Sequence, residues 1–239
     1  DPKKAIEMCD ENTICIVPIA GCTWTGMNDD FEAIDKAVTE FNKKTGNQLC
    51  IHVDAASGGF ILPFLKPHVK WDFRLNNVLS ISTSGHKYGL VYPGLGWVIW
   101  KDKKYLPSEM AFSVNYLGAD ITQVGLNFSR PAAQVLGQYY QFIRLGFQGY
   151  KAIQQNSMEI AEYLHEEIGK MPQFKNYSSE LVNPLFIWSL NPKYDKVANW
   201  TLYDLQYKLQ QNGWMVPAYT LPKDLEQCVV MRIVCRQGF

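Results

Sequence analysis

The chain is 239 residues long, carries 23 Lys+Arg against 23 Asp+Glu for a formal net charge of +0, and is 47% hydrophobic and 13% aromatic. At about 150 residues per domain that length predicts one or two domains with ample apolar material for a core, and the composition excludes a disordered or collagen-like chain. Balanced charge without a Lys/Arg block excludes the electrostatic footprint of nucleic-acid binding or of an anionic membrane surface, so the expected partner is a small molecule.

The longest uncharged aromatic-aliphatic run, from Tyr88 to Trp100, is broken by Gly89, Pro93, Gly94 and Gly96, so no helix is expected to span a membrane. Asp1-Pro2-Lys3-Lys4 offers neither an initiator Met nor the apolar core of a secretion signal, which predicts a start inside a longer gene product. Six cysteines, Cys9, Cys15, Cys22, Cys50, Cys228 and Cys235, lack Cys-x-x-Cys spacing and mostly lie in apolar runs. Buried, reduced thiols in the cytoplasm are the expectation.

Along the chain, the apolar run Thr13–Ile19 predicts a strand, ended by the turn residues of Gly21–Gly26. Phe31, Ile34, Val38 and Phe41 then recur at helical spacing, with Asn28 or Asp29 available as the cap and Gly46 placed to stop the helix. Leu49–Asp54 and Val78–Ser82 read as further strands, and a hairpin-like segment ends at Trp100. Apolar strands alternating with helices argue for a mostly parallel sheet covered by helices. Ser129-Arg130-Pro131 resembles a helix start with the serine as N-cap, leading into the apolar stripe Ala132, Val135, Leu136, Tyr139 and Ile143 as far as Gly146. A second long helix is expected to bury Ile153, Ser157, Ile160, Leu164 and Ile168 and to leave His165 solvated among glutamates. Leu185–Trp188 and Cys228–Cys235 read as strands, separated by a helix that opens at the capping box Thr201–Asp204 and closes at Gly213. The organisation that follows is residues 1–150 as part of a large domain and 151–239 as a smaller α+β domain.

Polar side chains gather where the strands end: Thr23 and Thr25, then Asp54, then Ser84, His86 and Lys87. In open α/β sheets the carboxyl ends of strands form the ligand crevice. The separation of Asp54 from Lys87 fits one crossover between neighbouring strands, and the small run Ala55-Ala56-Ser57-Gly58-Gly59 leaves room for a flat group. A lysine amine in such a pocket can condense with an aldehyde, and a carboxylate can keep a pyridine nitrogen protonated, which is what pyridoxal phosphate needs. A buried structural Asp–Lys ion pair is the alternative reading of the same spacing. Arg232 alternates with Cys228, Val230 and Val234, so its guanidinium should be partly buried and must find an anion, either a structural Asp or Glu or a ligand carboxylate.

His52-Val53-Asp54-Ala55-Ala56-Ser57-Gly58-Gly59, with Ser84-Gly85-His86-Lys87-Tyr88-Gly89, resembles the pyridoxal-phosphate-dependent group II decarboxylases and, within them, the glutamate decarboxylase branch. Trp71–Arg74, Gly94–Trp100, Asn115–Gly118, Asn127–Arg130 and Met231-Arg232 extend the resemblance over nearly the whole chain. It implies the pyridoxal-phosphate-dependent transferase fold type I, with the large domain incomplete at its N-terminus. It also implies decarboxylation of L-glutamate to 4-aminobutanoate and carbon dioxide through a Schiff base on Lys87. Asp54 then pairs with the pyridine nitrogen, Ala56 packs on the ring, Thr23 places its hydroxyl near cofactor and Asp54, and Ser84 and His86 surround the phosphate. Ser129 approaches the phosphate of a neighbouring subunit, which implies a homodimer or higher oligomer with shared sites, and Arg232 binds the substrate α-carboxylate. Because members of this family extend well upstream, these 239 residues by themselves are expected to bind cofactor weakly and to turn over little substrate. The rival readings are an aldehyde lyase similar to sphingosine-phosphate lyase and a non-catalytic fragment of the fold. His52, His68, His86 and His165 lack zinc-ligand spacing, so no metal is expected.

Overall fold

The computed structural model describes residues 1–106, 108–114, 118, 121–124, 130–178 and 180–237. They form two compact units: residues 1–18, 30–56 and 68–143, and residues 19–29, 57–67 and 144–239.

The first unit holds a four-stranded sheet of order β1-β2-β3-β4, made by β1 (Cys15–Ile16), β2 (Cys50–Asp54), β3 (Val78–Ser84) and β4 (Gly96–Trp100). β1, β2 and β3 run parallel and β4 closes antiparallel on β3. β1 is far shorter than the expected Thr13–Ile19 strand. Pro18 has no N–H to give to a ladder, and beyond it the Ile19 N–H goes to the Asp29 carboxylate while the Pro18 carbonyl accepts from Asp54 N–H at 3.0 Å. Short α1 (Pro2–Glu7) precedes this strand, and α2 (Phe31–Thr45) follows it and buries Phe31, Ile34 and Val38. The cap of α2 is Asp30, which accepts from Ala33 N–H, rather than Asn28 or Asp29. Those two are engaged elsewhere, Asn28 by Gly21 N–H and Asp29 by Ile19 N–H. Gly46 ends the helix at φ 78°, a left-handed conformation suited to glycine. Asp35 of α2 accepts from both the main-chain and side-chain N–H groups of Asn77, which fixes the start of β3. β5 (Ala111–Val114) and β6 (Ile121–Val124) form a separate antiparallel pair.

In the second unit, α3 (Leu62–Leu65) buries Leu62, and β7 (Phe174–Asn176), β8 (Leu185–Leu190), β9 (Ala218–Thr220) and β10 (Val229–Val234) make an antiparallel sheet of order β7-β8-β10-β9. Ile187, Leu221 and Val230 form one core cluster, with Tyr219 and Cys228 packed against it. Short α5 (Pro192–Asp195) follows β8. Helix α6 (Leu202–Gln211) starts with the reciprocal Thr201–Asp204 capping box and is followed by Gly213 at φ 84°.

The helical stretch α4 (Ala133–Gly169) is broken at Gly146, whose φ of 56° and ψ of −169° are not helical. Its first intrahelical bond runs from Leu136 N–H to Ala132 C=O, so Pro131 lies before the helix and position 132 is the cap. Ser129 lies outside the described residues. The apolar stripe expected to be buried is instead open: Val135, Leu136, Tyr139 and Ile143 are exposed, while Gln138 is 0% exposed. Beyond the break, Tyr150, Gln154, Ser157, Met158 and Ala161 form the buried face, and Ile153, Ile160, Leu164 and Ile168 flank it. His165 is half-buried rather than solvated, bonded to the Ser178 carbonyl and edge-on to Phe186. No helix among the described residues is long and apolar enough to cross a membrane. All six cysteines are unpaired, but only Cys235 is fully buried.

Candidate active site

β2 and β3 are hydrogen-bonded neighbours running in the same direction, with Asp54 opposite Ser82, so the last residue of β2 and the turn that follows β3 share one edge of the sheet. Side chains alternate across a strand. His52 and Asp54 therefore point to one face of β2, and Ser80, Ser82 and Ser84 to the same face of β3. His52 bridges the strands on that face: Nδ1 lies 2.7 Å from Ser80 Oγ and Nε2 3.1 Å from Ser82 Oγ. Burial pushes the imidazole below its usual range, with the Asp54 charge pulling it partly back. A neutral ring has one donor and one acceptor nitrogen, which suits two hydroxyl partners.

Asp54 closes its own turn, Oδ1 accepting from Ala56 N–H at 3.0 Å, and its Oδ2 is not bonded among the described residues. Ala55 N–H donates to Ser82 C=O and Ser84 N–H to Ala56 C=O, so the chain leaving β2 stays stitched to the end of β3. Ser84 ends β3, and His86 and Lys87 occupy the tight turn that follows, where Lys87 N–H donates to Ser84 C=O and Gly85 N–H to Leu95 C=O. Gly89 is required here, since a Cβ on it would meet the Gly85 carbonyl at 2.5 Å, and a Cβ on Gly85 would press on the tip of Gln138, 2.6 Å from Oε1. Behind the turn, buried Gln138 donates from Nε2 to Gly89 C=O at 2.8 Å. His86 Nδ1 is buried and has no hydrogen-bond partner among the described residues. A buried polar atom left open is costly unless a ligand completes it.

Thr23 and Arg232 both belong to the second unit. Arg232, on β10, donates from Nη1 to Thr23 C=O at 2.5 Å, and its Nε is buried without a partner among the described residues. No carboxylate pairs with it among the described residues, so the structural Asp or Glu reading of this arginine has no support there. Tyr219 of β9 places its ring 5.7 Å from the guanidinium carbon and donates its hydroxyl to Trp24 C=O at 2.9 Å. Of the site residues read from the sequence, Asp54, Ala56, Ser84, His86 and Lys87 thus gather on one sheet edge of the first unit, and Thr23 and Arg232 bond to each other within the second. The sequence reading missed His52, Gln138 and Tyr219. The signal for His52 is a histidine two residues before the candidate acid, which puts it on the same face.

The pyridoxal-dependent decarboxylase conserved domain matches residues 1–190. The chain belongs to that family. The chain is 49% identical over 237 residues to the glutamate decarboxylase of Lactococcus lactis subsp. cremoris, covering 99% of itself and 50% of that protein. It superposes on the solved structure of a Lactobacillus brevis glutamate decarboxylase with a TM-score of 0.92 at 48% identity, covering 99% of itself and 53% of that chain. A Burkholderia pseudomallei sphingosine-1-phosphate lyase shares the fold at a TM-score of 0.78 and 22% identity, over 99% of this chain and 50% of the lyase. The chain therefore has fold type I and spans about half the length of the relatives it matches.

Proposed function

We propose that this chain carries part of the active site of a pyridoxal-phosphate-dependent glutamate decarboxylase, converting L-glutamate to 4-aminobutanoate and carbon dioxide. Residues 1–150 would then be part of the cofactor-binding large domain and 151–239 part of the small one. The observation that carries the reading is the shared sheet edge, where Asp54 ends β2 and the Ser84–Lys87 turn ends the adjacent parallel β3. The residues fit the cofactor: a carboxylate with one oxygen unbonded, a lysine in a tight glycine-bounded turn, and a buried His86 nitrogen with no partner among the described residues. When bound, pyridoxal phosphate supplies an aldehyde and a protonated ring that accepts the electron pair left as carbon dioxide departs.

Lys87 would hold that group covalently. Asp54 would hold a proton on the ring nitrogen, Ala56 would lie against the ring, and Ser84, His86 and Thr23 would bind around it; the family resemblance assigns Ser129 to the phosphate of a neighbouring subunit. Arg232 orients the α-carboxylate, its planar fork matching two oxygens. The identity of 49% to a glutamate decarboxylase, against 22% to the sphingosine-1-phosphate lyase, favours glutamate over the phosphorylated amino alcohol of an aldehyde lyase. Exposed Val135, Leu136, Tyr139 and Ile143 on one helix support a homodimer or higher oligomer, since contiguous apolar surface marks association sites. Six unpaired thiols support a cytoplasmic location.

The test is borohydride reduction of the full-length protein loaded with pyridoxal phosphate, followed by peptide mapping, alongside carbon dioxide release from glutamate, aspartate and aromatic amino acids. A pyridoxyl group on Lys87 and release from glutamate are expected. No adduct would leave the non-catalytic reading, and aldehyde release from a phosphorylated amino alcohol would leave the lyase.

A further inference from the structure

Two side chains of the antiparallel sheet reach consecutive carbonyls of one loop. Arg232 donates to Thr23 C=O and Tyr219 to Trp24 C=O. The pairing of β9 with β10 places them together: Tyr219 stands opposite Val230, on the face that Arg232 shares two residues on, so ring and guanidinium are diagonal neighbours. The same ring meets Trp24, centroids 5.4 Å apart and tilted by 58°. The loop is pinned at both ends. Gly21 and Gly26 hold left-handed φ of 82° and 76°, Cys22 N–H donates to Met27 C=O, and Gly26 N–H donates to Cys22 C=O. Between them, Thr23 and Trp24 are fastened by their carbonyls to Arg232 and Tyr219. Burial pushes the Tyr219 phenol above its ordinary range, with Arg232 pulling it partly back, so the hydroxyl remains a donor at neutral pH.

We propose that Tyr219 is a positioning residue for substrate binding: its ring and hydroxyl hold the Arg232 guanidinium and the Thr23–Trp24 main chain in one arrangement, leaving the Nε edge of Arg232 for the substrate carboxylate. This rests on the reading of Arg232 as the carboxylate binder. A cation resting on an aromatic face keeps its plane fixed, and a fork with a fixed plane loses less freedom when it meets a carboxylate.

The experiment uses full-length holoenzyme with Tyr219→Phe, which removes only the hydroxyl, Tyr219→Leu, which also removes the ring face, and Tyr203→Phe on exposed α6 as the control. For Tyr219→Phe we expect KM for glutamate to rise about five-fold, the size of one modest hydrogen bond, with kcat within two-fold. For Tyr219→Leu the rise should reach about twenty-fold, and Tyr203→Phe should match the parent. In cofactor-free protein, amide hydrogen exchange across residues 23–25 should quicken in both Tyr219 variants, a readout independent of turnover. Unchanged KM and unchanged exchange in an active parent overturn the inference alone, as does a fall in kcat and melting temperature with KM intact. A parent that releases no carbon dioxide from glutamate instead overturns the functional reading on which it rests.

Discussion

Gln138 is the polar residue on which the lysine turn leans, and replacing it tests the architecture of the site directly. Its amide is fully buried, donates to Gly89 C=O at 2.8 Å, and accepts a long 3.5 Å contact from Trp97 Nε1. Gln138→Ala removes the amide bond, about 1–1.5 kcal/mol net, and leaves a small cavity that adds a comparable amount, so a loss of about 3 kcal/mol is expected. Gln138→Glu is the sharper test because it keeps the shape. An ionised carboxylate has no proton for the Gly89 carbonyl and is a buried charge, whereas a protonated one can donate. Its folded-state pKa must therefore lie above the unfolded value of about 4.3. The folded state then holds a proton that the unfolded state has released, so stability is fully present below about pH 4.3 and is lost as pH rises, by about 1.4 kcal/mol per unit until the folded pKa is passed. Urea unfolding of parent and variants at pH 5 and pH 8 reads this. Gln138→Glu should trail the parent far more at pH 8 than at pH 5, while Gln138→Ala should show the same deficit at both. Equal midpoints for Gln138→Glu and the parent at pH 8 would refute the buried donor behind the lysine turn.

Three further outcomes follow from particular contacts. Burial lowers the His52 imidazole, so the folded state resists its protonation; stability is complete above the unfolded value of about 6.5 and is lost as pH falls through the folded pKa. His52→Asn should abolish that part of the acid slope in urea midpoints between pH 7.5 and 5.5, and an identical slope in both proteins would contradict the bridge to Ser80 and Ser82. Gly26→Ala places a Cβ 2.8 Å from the Leu185 carbonyl, whereas Gly46→Ala meets open space at a similar φ. Both pay left-handed strain of about 1 kcal/mol, but Gly26→Ala should cost about 1–3 kcal/mol more by overpacking, and equal melting temperatures would show the crowding to be relieved by movement. Cys235 is fully buried and its thiol is pushed up to about 11, so native protein at pH 8 should label there with iodoacetamide last of the six cysteines, as mass spectrometry of timed digests would report.

The sheet edge was legible in the sequence because parallel strands announce themselves as apolar runs and hand their polar residues to their carboxyl ends. Cys50–Asp54 and Val78–Ser84 do this with little ambiguity, and the left-handed glycine at position 46 marks the end of the helix between the first two strands. The first strand was overestimated for a local reason. Its apolar run continues to Ile19, but Pro18 has no amide proton, and the next N–H is taken by Asp29. The cap of α2 is decided by the same kind of competition: Asn28 and Asp29 are good cap residues whose side chains have other bonds to make, so the cap passes to Asp30, whereas the Thr201–Asp204 capping box of α6 forms as the sequence predicts.

Apolar periodicity failed most clearly on α4, and its failure bears on the site. The pattern rule assumes that a chain buries its own apolar stripe. Here Leu136 and Ile143 are each 67% exposed while a glutamine takes the inward position. Gln138 goes inward because the glycine turn carrying Lys87 has main-chain carbonyls to satisfy and no room for a bulkier neighbour, so a long amide serves better than leucine. Tyr219 repeats the lesson in the second unit, where its polar end meets the Trp24 carbonyl and its face meets Arg232. In both places a side chain is fixed by a main-chain carbonyl beside a candidate functional group, where residue type alone would send the glutamine to solvent and the tyrosine to packing. That dependence is visible only once strand register is known: Tyr219 and Arg232 lie more than ten residues apart in sequence, yet the pairing of β9 with β10 makes them neighbours on one face.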